Sequence, residues 1–226
     1  MSESPALSLR GVGQHYGQGA ATVPVLDDVD LEVERGEAIA VLGRSGSGKT
    51  TLLQVASGLL PADQGDVAIA GTALDRGSAA QRAQVRRRRI GVVFQQFNLI
   101  PTLTVMENLE FPPALAGRPV DRRELIDWLA RLGLEKLADR FPEQLSGGEQ
   151  QRVAVLRALV HEPDLVLADE PTANLDLENA QRVIELLHEQ SRQRGAALVL
   201  VTHSSDLTVP MERILRIENR RLLQVQ

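Results

Sequence analysis

Gly43-Arg44-Ser45-Gly46-Ser47-Gly48-Lys49-Thr50 decides the fold, because it fits the phosphate-binding loop pattern Gly-x-x-x-x-Gly-Lys-Ser/Thr. The glycines allow the backbone to curl so that its N–H groups point at phosphate oxygens. We expect Lys49 to place its ammonium against the β- and γ-phosphates, and the Thr50 hydroxyl to be an oxygen ligand for Mg²⁺. The loop therefore predicts a site for a nucleoside triphosphate.

Both flanks of the loop support this interpretation. Glu37–Leu42, which is apolar after its first residue, is typical of a buried strand, and Thr51–Ala56 opens a helix whose positive N-terminus favours anions. A glycine-rich turn that binds nothing is the less favoured alternative. The predicted nucleotide-binding residues of this segment are Gly43, Arg44, Ser45, Gly46, Ser47, Gly48, Lys49, Thr50 and Thr51.

Composition narrows the class of protein. The chain has 226 residues, of which 43% are apolar, enough for one α/β domain with a subdomain. No apolar run approaches the ~20 residues that cross a bilayer, so membrane work is expected to go through a partner chain. The absence of cysteine fits a reducing cytoplasm, and the net charge of −5 argues against nucleic acid as a partner.

The pattern of apolar residues predicts an α/β fold. Leu7–Val12 and Val29–Val33 alternate as antiparallel strands do, whereas Ile90–Phe94, Leu165–Ala168 and Ala197–Val201 are continuous runs typical of a buried parallel sheet. Together with the loop they indicate a P-loop NTPase core, a mostly parallel sheet flanked by helices, with an antiparallel β subdomain.

A helical subdomain is predicted between the strand ending at Phe94 and the strand beginning at Leu165. Val105–Leu115, Arg122–Leu132 and Glu149–Val160 carry apolar residues at helical spacing. Pro112-Pro113 is interpreted as punctuation of this region, and Trp128 as a core residue.

Two acids follow the apolar strand that begins at Leu165. Asp169 is placed to hold Mg²⁺, and Glu170 to orient and deprotonate an attacking water, a general-base role worth about 10²–10⁴-fold. Solvated turn residues are the alternative, which the phosphate-binding loop disfavours.

Leu145-Ser146-Gly147-Gly148-Glu149 predicts a helix start. Ser146 and Glu149 have the spacing of a capping box, in which each satisfies a backbone N–H of the other. Gly147 and Gly148 expose bare N–H groups there, which makes a second anion site. One explanation for two such sites in one chain is that two copies close on the same nucleotide.

Two further features leave alternatives open. The Arg86–Arg89 cluster is interpreted as a solvated helix end favoured by the helix dipole, the alternative being a contact with acidic lipid or an acidic partner segment. Tyr16, from the residues alone, is either a packing residue at a strand end or a flat surface for adenine, with packing favoured.

These elements, with Gln95, Asn174-Leu175-Asp176 and His203, resemble the nucleotide-binding domain of an ABC transporter. Leu-Ser-Gly-Gly is the signature of that family, and all the elements occur in the family's order over nearly the whole chain. The resemblance implies an ATPase whose two copies pair head to tail and sandwich two ATP molecules. It also implies one ATP-binding domain, with an α/β core at 1–95 and 162–226 and a helical subdomain at 96–161.

The resemblance assigns roles to single residues. Gln95 links Mg²⁺ and the attacking water to the helical subdomain, and His203 contacts the γ-phosphate. Ser146, Gly147, Gly148 and Glu149 belong to the signature that faces the loop of the other copy. Asp176 touches the opposite subunit or caps the helix that follows it, and Tyr16 becomes favoured as the residue that stacks on adenine.

Phe94–Asn108 and the loop between Tyr16 and Val25 resemble the lipoprotein-releasing and macrolide-exporter group of ABC ATPases. Members of this group pair with a separate membrane permease, which implies a cytoplasmic protein peripheral to the inner face of the membrane. An ATPase that drives a mechanical or signalling membrane complex, as in cell division, is the alternative. Three positions depart from the family pattern, namely Glu149 for Gln, Ser204 for Asp and Asn219 for Gly.

Overall fold

The computed structural model describes residues 4–17, 22–74, 77–173 and 175–225. Residues 18–21 of the predicted loop after Tyr16 lie outside this range, as does Asn174 of the predicted Asn-Leu-Asp element. The described chain forms two sheets and the helices that pack on them.

The smaller sheet is antiparallel and has the strand order β2-β1-β4-β5. Its strands are β1 (Leu7–Tyr16), β2 (Val23–Val33), β4 (Gln64–Ile69) and β5 (Thr72–Ala73). Both β1 and β2 are longer than predicted. The pairing of β1 with β2 shifts register beyond Leu9, which interrupts the alternation of apolar residues from which the strand lengths were predicted.

The larger sheet has the order β10-β9-β3-β8-β7-β6 and is parallel except for β10. Its strands are β3 (Ala38–Leu42), β6 (Ile90–Val93), β7 (Leu165–Asp169), β8 (Ala197–Thr202), β9 (Arg213–Glu218) and β10 (Arg221–Gln224). Leu42 pairs with Thr202, and Asp169 pairs with Val201. The ends of β3, β7 and β8 therefore meet at one edge, where parallel sheets bind ligands.

Two hydrophobic cores cover the two faces of the larger sheet. Ala38 and Ala40 of β3 point to one core and Ile39 and Val41 to the other, as the two-residue period of a strand requires. The sheet is buried on both faces, which explains why its strands are continuous apolar runs.

The helices are α1 (Lys49–Ala56), α2 (Ala79–Arg89), α3 (Val105–Ala116), α4 (Arg122–Arg131), α5 (Gly147–Leu159) and α6 (Leu177–Gln193). The interpretation of Pro112-Pro113 as punctuation was wrong, because both prolines lie inside α3. Thr104 and Glu107 form a capping box that starts α3, and buried Met106 and Leu109 anchor it in the core. The helix ends one residue before Gly117, whose φ is 73°.

Helices α3 to α5 come between β6 and β7 in the sequence, and two close contacts help to join them to the rest of the chain. A Cβ on Gly91 of β6 would collide with the carbonyl oxygen of Ala158 in α5, so this glycine lets the helix lie directly on the strand. The Arg194 guanidinium, after α6, stacks 3.5 Å from the ring centroid of Trp128 in α4. Trp128 is buried as predicted, whereas the subdomain boundary at 96–161 stays a prediction.

Candidate nucleotide-binding site

An open cleft of about 720 Å³ lies at the edge of the larger sheet where β3, β7 and β8 end. It gathers predicted site residues from five separate stretches of the chain. The residues that line it are Tyr16, Val25, Ser45, Gly46, Gly48, Lys49, Thr50, Thr51, Gln95, Asp169, Glu170, Ala173 and His203.

The phosphate-binding loop has the backbone that its glycines were expected to allow. Gly46 and Gly48 have φ values of 76° and 104°, in the left-handed region that side chains disfavour. A Cβ on Gly48 would lie 3.1 Å from the Val25 carbonyl oxygen, and one on Gly43 would collide with the Ser47 hydroxyl. The loop therefore depends on these glycines both for conformation and for space.

Lys49 is held at the inner end of the cleft, with only 8% of its surface exposed. Its ammonium donates to the carbonyl oxygens of Gly43 at 2.8 Å and Arg44 at 3.1 Å. The same nitrogen lies 3.7 Å from Oε1 of Glu170. A buried ammonium surrounded by oxygens in this way is placed to bind the oxygens of a phosphate.

Asp169 is the last residue of β7. Its burial raises the pKa of its carboxyl, and the negative charge of Glu170 adds to the rise, while a hydrogen bond with the Thr50 hydroxyl and the charge of Lys49 oppose it. Burial thus penalises the carboxylate form, a penalty that a bound cation would relieve.

The oxygen ligands available in the cleft fit Mg²⁺. The Thr50 hydroxyl, the Asp169 carboxylate and the Gln95 amide belong to residues that line the same space, and Mg²⁺ prefers hard oxygen ligands. Within the described ranges no three His, Asp or Glu side chains gather into a metal site. This donor set suits an ion that takes its other ligands from phosphate and water.

Glu170 and His203 form a close pair at the mouth of the cleft. Oε2 of Glu170 lies 2.7 Å from Nδ1 of His203. Glu170 has a φ of 45°, unusual for a residue other than glycine, and its N–H donates to the Val201 carbonyl oxygen at 2.9 Å. Its carboxylate therefore lies between Lys49 and His203 on a backbone in a sparsely populated conformation, as is common at functional sites.

Tyr16 ends β1 at the wall of the cleft, and 44% of its surface is exposed. Its hydroxyl lies 3.4 Å from Oγ1 of Thr51 and donates to Oε1 of Gln54 at 3.3 Å. The hydroxyl is fixed while the ring stays open to solvent, so packing alone does not explain this residue.

The signature residues and Asp176 do not line this cleft. The predicted capping box is present, with the Ser146 N–H donating to Glu149 Oε2 at 2.7 Å, and these hydrogen bonds lower the pKa of Glu149. Ser146 and Gly147 are exposed. Asp176 caps α6 by accepting from the Asn179 N–H at 2.9 Å. The fold thus separates the second predicted anion site from the first within one chain.

Two of the described residues that line the cleft were not predicted from the sequence. Val25 and Ala173 line it, but neither belongs to a motif that carries chemistry, and only the fold brings them there. The approach of Lys49 to Glu170 was not predicted either, because two acids after a strand do not indicate how far they lie from the phosphate-binding loop. Gly43, Arg44 and Ser47 lie behind the lining and shape the loop.

Comparisons with known proteins identify the family. A family model described as ABC transporter matches residues 26–173. The lipoprotein-releasing system ATP-binding protein LolD of Shewanella oneidensis is 42% identical over 218 residues, which are 94% of either chain. The ABC transporter ATP-binding protein YtrE of Bacillus subtilis is 46% identical over 187 residues, 82% of this chain and 81% of its own.

The chain belongs to the ABC transporter ATP-binding family. A solved dimeric ATP-binding cassette, MJ0796, in a post-hydrolysis state with ADP and Pi, matches with a TM-score of 0.87 and 34% identity. The match covers 97% of this chain and 99% of the cassette. This ABC protein is therefore an ATPase with the P-loop α/β fold, as its sequence indicated. No helix in the described part of the chain is long and apolar enough to cross a bilayer.

Proposed function

We propose that this ABC ATPase energises a separate membrane permease of the export or lipoprotein-release type through ATP-driven, head-to-tail pairing of two copies. The observation that carries the proposal is the separation of the signature from the cleft. Ser146 and Gly147 lie exposed at the start of α5, outside the space lined by Lys49, Glu170 and His203. A second copy is the natural source of the missing helix start.

Lys49 and Glu170 change partners when ATP binds. The Lys49 ammonium lies 3.7 Å from the Glu170 carboxylate in this structure. When ATP binds, it turns to the β- and γ-phosphates, which are stronger anionic partners. Glu170 is then free to accept a proton from water as the water oxygen attacks the γ-phosphorus and the bond to the ADP oxygen breaks. His203 holds the Glu170 carboxylate from the other side and contacts the γ-phosphate.

Thr50, Asp169 and Gln95 are the residues that would hold Mg²⁺. The ion, when bound, supplies positive charge that neutralises the phosphate oxygens. Gln95 lies two residues beyond the end of β6, and Asp169 ends the neighbouring strand β7. These side chains approach the nucleotide from two adjacent strands.

The start of α5 completes the site across the dimer. Glu149 and Ser146 satisfy each other in the capping box, which leaves the N–H groups near Gly147 and Gly148 and the positive end of the helix for a phosphate of the partner's ATP. Tyr16 stacks on the adenine, and Asp176, besides capping α6, faces the partner copy.

The permease docks in an apolar groove lined by Arg87, Ile90, Phe94, Asn98, Ile100, Phe111, Pro112, Leu115, Arg157 and His161. Phe111 and Leu115, on α3, are 43% and 46% exposed and line the same groove, and contiguous exposed apolar side chains mark interaction sites. The segment after Gln95 forms one wall, so a docked partner senses the nucleotide site. The protein is thereby held at the inner face of the membrane.

Arg157 of α5 connects this wall to the signature helix. Its guanidinium donates to the carbonyl oxygens of Phe97, at 3.2 Å, and Asn98. The segment that follows Gln95 and the helix that begins at the signature therefore move together, which transmits the presence of the γ-phosphate to the groove.

The dimer is tested with Glu170→Gln, which removes the general base and keeps the shape of the side chain. Turnover should fall by at least about 10²-fold, and ATP should convert the variant to a dimer in light scattering. Adding Ser146→Arg should keep ATP binding and abolish the dimer. Ser146→Ala is the matched control, which loses the cap at a cost of about 1 kcal/mol but adds no bulk.

Two results would reject this assignment. Turnover of Glu170→Gln at the parent rate would remove Glu170 from the role of base. An ATP-dependent dimer that survives Ser146→Arg would show that the signature does not face the partner's nucleotide.

Docking is tested by capture from detergent-solubilised membranes of the source cells. An integral membrane protein should co-purify with the chain and be lost with Phe111→Glu combined with Leu115→Glu, while thermal unfolding verifies that the variant is folded. The same co-purification with the double variant would place the permease elsewhere.

A further inference from the structure

A second cavity, of about 580 Å³, lies beside the apolar groove, and its described lining residues include Arg88, Arg89 and Arg118. We call it the arginine cavity. Its walls are α2, the strand β5, the second residue after the end of α3, and the connection between α5 and β7. Neither the nucleotide-binding cleft nor the apolar groove accounts for it.

The arginines of the cavity differ in their partners. Arg89 lies 3.3 Å from Asp164, whose other carboxylate oxygen is 2.7 Å from Arg35. Arg88 and Arg118 are exposed, and their guanidinium groups have no hydrogen bond or ion pair with the described residues. Among the described lining residues, Glu162 is the one acid besides Asp164, so three guanidinium groups there face two carboxylates.

The prediction that Arg86–Arg89 is a solvated helix end holds for only part of the cluster. Arg86 donates to the Gly58 carbonyl oxygen at 2.7 Å, and Arg89 pairs with Asp164. Arg87 and Arg88 are exposed. Half of the cluster therefore anchors α2, and the other half remains free to bind an external anion.

The arginine cavity and the apolar groove adjoin. Arg87 and His161 line the groove, whereas their neighbours in sequence, Arg88 and Glu162, line the cavity. The charge of Arg118 also acts on His161, where it adds to the lowering of the imidazole pKa by burial. The two linings thus meet at the end of α2, where the exposed residues Arg87 and Arg88 are adjacent.

We propose that the arginine cavity binds an acidic segment of the permease that continues from the segment seated in the apolar groove. This inference rests on the proposed function and adds the chemistry of the partner. Planar guanidinium groups bind carboxylates in a fork of two hydrogen bonds. The concave shape and the walls of several elements fit an inserted peptide chain, whereas a flat membrane surface reaches groups that protrude.

The probe is a labelled peptide in which an apolar helical stretch precedes a run of glutamates, measured by fluorescence anisotropy at low ionic strength. A peptide with glutamines in place of the glutamates is the comparison. The glutamate peptide should bind about tenfold more tightly, as expected for a few ion pairs, and the difference should shrink in salt.

The chain is varied by Arg88→Glu combined with Arg118→Glu. This variant should lose the preference for the glutamate peptide and gain one for a peptide with lysines at those positions. The control is Arg123→Glu combined with Arg192→Glu, which changes the net charge equally at exposed sites outside the cavity. It should behave like the parent protein.

Three outcomes would overturn the inference. Equal binding of the glutamate and glutamine peptides would exclude an acidic segment, and equal losses in both double variants would reduce the effect to net charge. Sedimentation with phosphatidylglycerol vesicles that depends on Arg88 and Arg118, without peptide binding, would assign the arginines to lipid. Each leaves ATP-driven dimerisation unaffected, so a failure here is distinct from failure of the proposed function.

Discussion

The imidazole of His203 and the carboxylate of Glu170 lie 2.7 Å apart, between Nδ1 and Oε2. His203 is largely exposed, whereas the Glu170 side chain is mostly buried, so the histidine reaches the carboxylate from the solvent side. The Glu170 carboxylate, the proposed base, is therefore positioned by a contact with the His203 side chain as well as by its own backbone.

His203→Ala should lower turnover by about 10²-fold or more, because the carboxylate loses the group that orients it. ATP binding should persist, since Lys49 and the loop remain. The rate of phosphate release and the binding of a fluorescent ATP analogue are measured side by side, with His188→Ala, on α6, as the control. Parent-like turnover of His203→Ala would show that Glu170 needs no such contact.

Gly91→Ala should destabilise the protein by about 1–3 kcal/mol, the usual cost of overpacking. The added methyl would collide with the Ala158 carbonyl oxygen and push α5 away from β6. Urea unfolding measures the loss. Gly13→Ala is the control, because its Cβ would meet Gln64 at 3.4 Å, an ordinary contact. If both variants unfold alike, α5 has room to shift.

Arg194→Ala should cost about 1 kcal/mol, because it removes the cation from the Trp128 ring. Trp128 is the only tryptophan, so its fluorescence reports the change directly. Arg192→Ala, an exposed neighbour in the last turn of α6, should alter stability by less than about 0.5 kcal/mol. Identical spectra for the parent and Arg194→Ala would contradict the stacking.

Acid should weaken the fold through His161. Burial lowers the pKa of this imidazole, and its Nε2 lies 3.1 Å from the Ile90 carbonyl oxygen. The unfolded chain therefore binds the proton more readily than the folded one. The stabilisation is complete above the ordinary pKa of about 6.5 and is lost as the pH falls through the lowered value.

The free energy of unfolding should accordingly decrease between about pH 7.5 and about pH 5.5. His161→Gln keeps a donor for Ile90 but cannot take up a proton, so its stability should depend less on pH over this range. Urea titrations at several pH values compare the two proteins. Parallel curves would assign the acid sensitivity to other groups.

The strands and helices around the candidate site could be predicted from the sequence because the local signals agree with one another. Ser146 and Glu149 form the predicted capping box, and Asp169 ends the predicted strand. Glycine positions, helix caps and the spacing of apolar residues depend on only a few neighbouring residues, so they can be interpreted before the tertiary structure is known.

Contacts between distant segments could not be predicted in this way. Trp128 was expected in the core, but nothing local indicated that Arg194 would cover it. Arg86 and Arg89 were expected in solvent, yet carbonyl oxygens and Asp164 lie within their reach only in the folded chain. Long, flexible cationic side chains take the partners that tertiary structure offers, and their sequence neighbours do not specify them.

The bonds from Arg157 to the carbonyl oxygens of Phe97 and Asn98 have a consequence for a pair of these proteins. In the head-to-tail pair proposed above, the helix that would close one ATP site is bonded to the segment that follows Gln95 at the other site, so ATP bound at one site is expected to affect the other. Hydrolysis should then rise more steeply than in proportion to ATP concentration, with a Hill coefficient above unity. Removal of the guanidinium should leave two sites that work independently.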